Sequence, residues 1–459
     1  MTQSSGDWRG SDATSIPVSP QQSSPPPDYR RTWIKSPTPV KEQPVVHAPT
    51  RLSPHEAHVE ISPKRHLTDK GKGSEILHID TSPSSSYVAT KHGNKTVKIW
   101  STAKNALHGT IKFTSYVQPR VRSREYFVRG HAILSENASL IGITTHFGLT
   151  LEIYNFAKGG SGAKKVQVIE EAHRWAASHL DAFHNDYAGL AVYRPKFDRI
   201  DRFFLSRILG TKTPFREDPN HSIELQKAGL PFLPKFPELA NSSDSSILVA
   251  AAGPRPGEPP RANATILVAW QMQPVTDGKL HAQTPEQSNA SLPDEDLHKP
   301  YRVCVPDYPA LQTALPACLA AHGTTAVSIW IPAANPSDAA KTRLPPAAPT
   351  TPVSAPDRLV LTWDLPNNTT SLFSIPPFAQ ACISPDCRRV AYCNTANGAS
   401  EFVIVDVATR REVWRWPEAA SEQGFASFGQ LENMKGVRVF EFSRDGGVLV
   451  VGDGVGGVG

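Results

Sequence analysis

From Ile76 onward, short apolar runs alternate with brief polar turns. Ile76–Leu77–His78–Ile79, Tyr87–Val88–Ala89–Thr90 and Thr96–Val97–Lys98–Ile99–Trp100 read as strands, separated by turns at Asp80–Thr81–Ser82–Pro83 and Gly93–Asn94. With a turn at 101–105 and Leu107–Ile111, they make a first unit over 76–116. A second unit, 126–170, runs through Tyr126–Val128, Ala138–Ile143, Leu149–Tyr154 and Lys165–Ile169. Further units occupy 376–417 (Ala379–Ile383, Arg389–Tyr392, Phe402–Asp406, Glu412–Trp416) and 437–459 (Val437–Phe442, Val448–Val451). Strands of four to six residues, repeated roughly every 40–60 residues, predict sheets laid down one after another rather than one continuous sheet.

Two units are interrupted. In 171–272 only Thr265–Trp270 stands out, with Ile247–Ala251 as its partner, and the rest reads as inserted loop or helix. In 301–375 the strands Cys318–Ala321, Val327–Ile331 and Arg358–Asp364 are split by a Pro/Ala-rich insertion at about 332–356. Residues 273–300 form a polar, acidic linker. Residues 1–73 are rich in Ser, Pro and Gln with few aliphatic clusters, so they bury too little apolar surface to offset ordering entropy and are predicted disordered. Within them, His58–Val59–Glu60–Ile61 alternates like an edge strand.

These units resemble the WD-repeat family of β-propellers. Trp363–Asp364 is a literal Trp-Asp pair, and Trp100–Ser101, Tyr154–Asn155, Trp270–Gln271 and Val405–Asp406 stand at equivalent points. Ser82–Pro83, Ser384–Pro385–Asp386 and Ser443–Arg444–Asp445–Gly446 match the family's inner turn. Thr90 sits where the small hydroxyl residue belongs, and Asn94 where the turn Asp belongs. The likeness covers 74–459, and its patchiness is similar to that of divergent WD-repeat proteins of filamentous fungi. It implies an all-β propeller of six or seven blades, short of strands at its C-terminus, with a disordered tail and long loop insertions. No unit carries the family's Gly-His pair, so the buried Asp-His-Ser-Trp network is expected to be incomplete. The closing aromatics Trp100, Tyr154, Trp270 and Trp363 are expected to fill wedges between blades. Asn94, Asp364 and Asp406 are expected to accept turn N–H bonds. The last unit shows only two inner strands before its glycine-rich end. Either the His58–Ile61 segment completes it or the ring stays open, and a glycine run as final strand favours the second.

Composition narrows the function. A net charge of +5 over 459 residues is not the basic footprint of a nucleic-acid binder. Five cysteines without CxxC spacing fit reduced thiols better than disulfides or zinc. The N-terminus lacks a signal-peptide apolar run, and no window nears the roughly 20 apolar residues of a membrane span. The expectation is a soluble cytoplasmic protein, with the nucleus as the alternative.

Candidate chemistry is sparse. His173, His179, Asp181 and His184 lie close in sequence, but their spacing does not set ligands on one helical face; 172–177 reads as a short helix with ordinary histidines. Cys382, Cys387 and Cys393 flank a turn, with Cys393 placed in the core by strand alternation. There is no Ser-His-Asp signature and no phosphate-cradling loop, so no catalytic residue, metal or cofactor is assigned. The strongest lead is 194–209, where Phe197, Ile200, Phe204 and Ile208 follow helical spacing beside cations. It reads as a basic amphipathic helix whose Lys196, Arg199, Arg202, Phe203 and Arg207 could contact a partner or an anionic membrane. The paired arginines of phosphoinositide-binding propellers are absent, since 127–130 holds only Arg129. In the tail, Thr38 and Ser62 each precede a proline and a base at proline-directed kinase spacing. The expected function is a non-catalytic scaffold for other proteins, monomeric outside its complexes. A peripheral membrane propeller is the alternative, and a propeller enzyme with a channel active site the second.

Overall fold

The computed structural model describes residues 50–51, 75–112, 130–156, 163–179, 188–205, 213–254, 265–272, 298–332, 357–394, 401–416, 437–453 and 458, except 94, 137–138, 147–148 and 243–244. They form strands throughout, with a short 3-10 turn at Pro309–Leu311. No helix among them is long and apolar enough to cross a membrane. The expected tail falls almost wholly outside them, as do His58–Ile61, Thr38 and Ser62.

The strands build six antiparallel four-stranded blades and one two-stranded sheet. Blade 1 contains Ile76–Thr81, Tyr87–His92, Thr96–Ser101 and Ala106–Lys112. Blade 2 contains His131–Ser135, Leu140–Thr145, Thr150–Asn155 and Lys164–Ile169. Blade 3 contains Arg174–His179, Ala188–Arg194, Arg199–Phe204 and His221–Glu224. Blade 4 contains Glu238–Asn241, Ile247–Ala252, Ile266–Gln271 and Arg302–Cys304. Blade 5 contains Ala314–His322, Thr325–Pro332, Arg358–Asp364 and Thr369–Ile375. Blade 6 contains Phe378–Ile383, Arg389–Asn394, Glu401–Asp406 and Arg411–Trp416, with Thr50–Arg51 added in parallel outside the last. The terminal sheet is the hairpin Val437–Phe442 and Leu449–Asp453. Successive first strands touch around a ring, and Val437–Phe442 closes it by meeting both Phe378–Ile383 and Ile76–Thr81.

Burial on both faces explains the apolar runs. In blade 4, Leu248, Ala250, Ile266, Val268 and Trp270 face blade 3, while Val249, Ala251, Leu267 and Ala269 face blade 5. The side-chain period of two therefore splits one run between two neighbours. The core is accordingly seven apolar clusters, one at each seam of the ring. At one seam the blades nearly touch through their backbones: a Cβ on Gly253 would lie 2.4 Å from the Ala314 carbonyl oxygen.

The turn between first and second strands recurs almost unchanged. Ser82, Ser242, Ser384 and Ser443 each accept, through Oγ, the N–H of the residue five places on, at 2.8–3.0 Å. Their carbonyls accept the N–H three places on, from Ser85, Ser245, Cys387 and Gly446. Those four residues lie at positive φ, from 56° to 71°. The Ser-x-x-x turn thus satisfies strand-end groups that would otherwise be orphaned. The turn at Ser242 lies in Asn241–Ser242–Ser243–Asp244–Ser245, a signal as readable in sequence as Ser384–Pro385–Asp386.

The closing tryptophans are buried, but each indole N–H finds a different acceptor. Trp100 donates to Thr90 Oγ1 (2.8 Å), which also contacts His92 Nε2 (2.9 Å). Trp270 donates to the His298 carbonyl (3.1 Å) and Trp363 to Asn368 Oδ1 (3.0 Å). Asp406 accepts from Thr409 N and Oγ1 (both 2.8 Å), and Asp364 accepts from the side chain of Asn367 through Nδ2 (2.7 Å). Tyr154 is half-buried and donates to Glu152 Oε2 (2.6 Å). Asn94 lies outside the described residues.

Three expectations are corrected. The stretch 171–272 holds a whole blade and three strands of the next rather than one interrupted unit. Residues 172–177 form no helix: Trp175 and Ala177 face blade 2 while Ala176 faces blade 4, a period of two. Nor do 194–205, the described part of the expected helix over 194–209, form one. Arg194 ends a strand, 195–198 turn with Asp198 at φ 47°, and Arg199–Phe204 returns. Ile200 and Phe203 are drawn into opposite seams.

Trp100→Phe keeps the wedge filled and removes the indole donor, so urea denaturation should show a loss of about 1 kcal/mol. Gly253→Ala should cost more, about 1–3 kcal/mol, because its clash is with backbone. An unchanged midpoint for Gly253→Ala would contradict the close seam.

Candidate functional site

In each blade the first strand begins on the same face as the turn between its second and third strands, here termed the entry face. Between blades 2 and 3 that face opens into a cleft of about 560 Å³, lined by His146, Leu149, Thr150, Glu170, Glu171, His173, Pro195 and Lys196. Three connections supply these residues: the second turn of blade 2, the link 170–173 into blade 3, and the second turn of blade 3.

The walls are tightly held. Arg194 Nη1 donates to the Glu170 carbonyl (2.5 Å), and its Nε pairs with Asp201 Oδ2 (2.5 Å). Asp201 is fully buried, lies 2.7 Å from Arg199 Nε through Oδ1, and accepts from Ser222 Oγ (2.7 Å). Thr150 Oγ1 donates to Glu170 Oε2 (3.1 Å). Lys235 pairs with Asp198, which also accepts from the Tyr193 hydroxyl (3.3 Å).

The floor and rim differ in character. Glu171 sits at φ 56°, a conformation costly for a residue with a Cβ. Its Oε1 is 3.9 Å from Lys196 Nζ, and its buried Oε2 accepts no hydrogen bond among the described residues. Around the cleft stand Leu149 (42% exposed), Phe197 (49%) and Phe236 (37%), three of the six large hydrophobics exposed among the described residues. Phe236 is at φ 49°, and its ring packs edge-on at 5.5 Å from His173. His146 is at φ 49° and Asp198 at φ 47°, as is usual for the turns between second and third strands, where Lys95 of blade 1 lies at φ 64°. Burial, then the neighbouring Arg174 charge, lowers the His173 pKa below 6.5, against a smaller opposing pull from Glu171.

The sequence-predicted contact residues separate here. Lys196 is on the rim, its side chain 70% exposed. Arg199 is committed to Asp201, with its guanidinium 5.1 Å from the Phe197 ring centre. Arg202 and Phe203 are buried, against the expectation that they face a partner, because strand alternation turns both into the sheet stack. Burial pushes the Arg202 pKa down to about 10, and its guanidinium lies over Phe204 at 5.0 Å. Arg207 lies outside the described residues, as do Asp181 and His184. Glu170, Glu171 and Phe236 escaped the sequence reading. A Glu-Glu pair directly after the strand Lys165–Ile169 was the available signal. Cys382, Cys387 and Cys393 are buried, and burial raises all three thiol pKa values, which suits inert packing residues.

No family model and no curated protein matches the chain.

The His173 shift has a consequence for stability. Its folded pKa lies below the 6.5 of the free side chain, so as pH falls through 6.5 the unfolded chain takes up the proton first. Stability is therefore complete above 6.5 and declines below it, and His221, also lowered by burial, acts in the same direction. His173→Gln should flatten part of that decline in urea titrations run across this window. An unchanged slope would contradict the assignment.

Proposed function

We propose that this chain is a non-catalytic β-propeller scaffold of the WD-repeat kind, which holds another protein against its entry face over blades 2 and 3. One observation carries the reading: of the six large hydrophobics exposed among the described residues, Leu149 lines the charged cleft, and Phe197 and Phe236 stand against its lining residues Lys196 and His173. Apolar side chains gathered at a polar-lined opening are the usual mark of a protein-binding patch. The propeller fold is compatible with this role, although fold alone assigns no function. In this reading the protein works inside the cell, as a monomer outside its complexes, and needs no cofactor.

A membrane-facing propeller would need the cations of 194–209 free at the surface. Lys196 is exposed, but Arg194 and Arg199 are paired with Asp201 and Arg202 is buried. That arrangement supports the scaffold over the membrane reading.

Photo-crosslinking amino acids placed at 149 and 197 in the full chain, in cells, test the proposal. Discrete protein adducts are expected from both positions and not from 107, an exposed apolar site elsewhere in blade 1. Lipid adducts, or adducts no different from those at 107, would overturn it.

A further inference from the structure

We draw no further inference here: the strongest candidate, the outer edge of Leu449–Asp453 in the two-stranded terminal sheet, carries nothing because among the described residues only the bridge from Gly452 to Val458 reaches it and nothing in the structure shows what else covers it.

Discussion

A ring of wedges depends on its last joint. Here that joint is apolar: Ile76, Ile79, Val88 and Trp100 of blade 1 pack with Val439 and Val450 of the terminal sheet and with Val458, which bridges to Gly452. Each of the other six seams repeats the arrangement between neighbours, and closure gives the first and last wedges the second apolar partner that the others already have. Polar contacts reinforce the joint. Asp80, on the first strand of blade 1, accepts the Ile133 N–H of blade 2 through Oδ2 (2.7 Å), and its Oδ1 faces Arg444 of the terminal hairpin at 3.6 Å. One buried carboxylate therefore touches the wedges on both sides of its own. Glu136, in the turn after the first strand of blade 2, ties the seam between blades 1 and 2 by accepting from the Ser84 N–H (3.2 Å) and from the Ser82 hydroxyl.

The terminal sheet fills its place with two strands where its neighbours have four. What it must supply to the ring is a first strand and an apolar face toward each side, and the hairpin has both. Phe440, Phe442 and Val451 face blade 6, while Val439 and Val450 face blade 1. Outer strands widen a wedge away from the axis and matter less to the innermost contacts. The short strand Thr50–Arg51 lies on the outer edge of blade 6 instead.

The parts legible in the sequence were those where local chemistry and burial agree. Blade 1, blade 6 and the hairpin carry β-branched runs ended by Ser-turns, and their strands lie where the pattern puts them. Trp100, Trp270 and Trp363 are buried in seam clusters, where a large aromatic closing an apolar strand packs readily. Blade 3 was hidden by its polarity. Its strands include Arg174, Arg202 and Asp201, all buried: Arg174 beside Glu238 of blade 4, Asp201 against Arg194 and Arg199 of its own blade, and Arg202 over Phe204 of its own strand. The same polarity lent 194–209 a spacing that fits a helix, and only the opposed burial of Ile200 and Phe203 reveals the strand. The cleft was less legible still, because Glu170, Lys196 and Phe236 come from connections distant in sequence. No local pattern marks residues that meet only when two blades stack.

Asp201 gives the cleft a property that its lining residues alone do not. Both arginines that frame the opening end on this one buried carboxylate, and one of them also grips the backbone at Glu170. The opening is thus riveted to the interior of blade 3 and has little freedom to collapse or to adapt. A ligand entering it would lose its own conformational entropy but impose almost none on the protein, so association there would be governed by how well the visitor's shape already fits. In the scaffold reading, such a surface would select through rigidity, by geometry before chemistry.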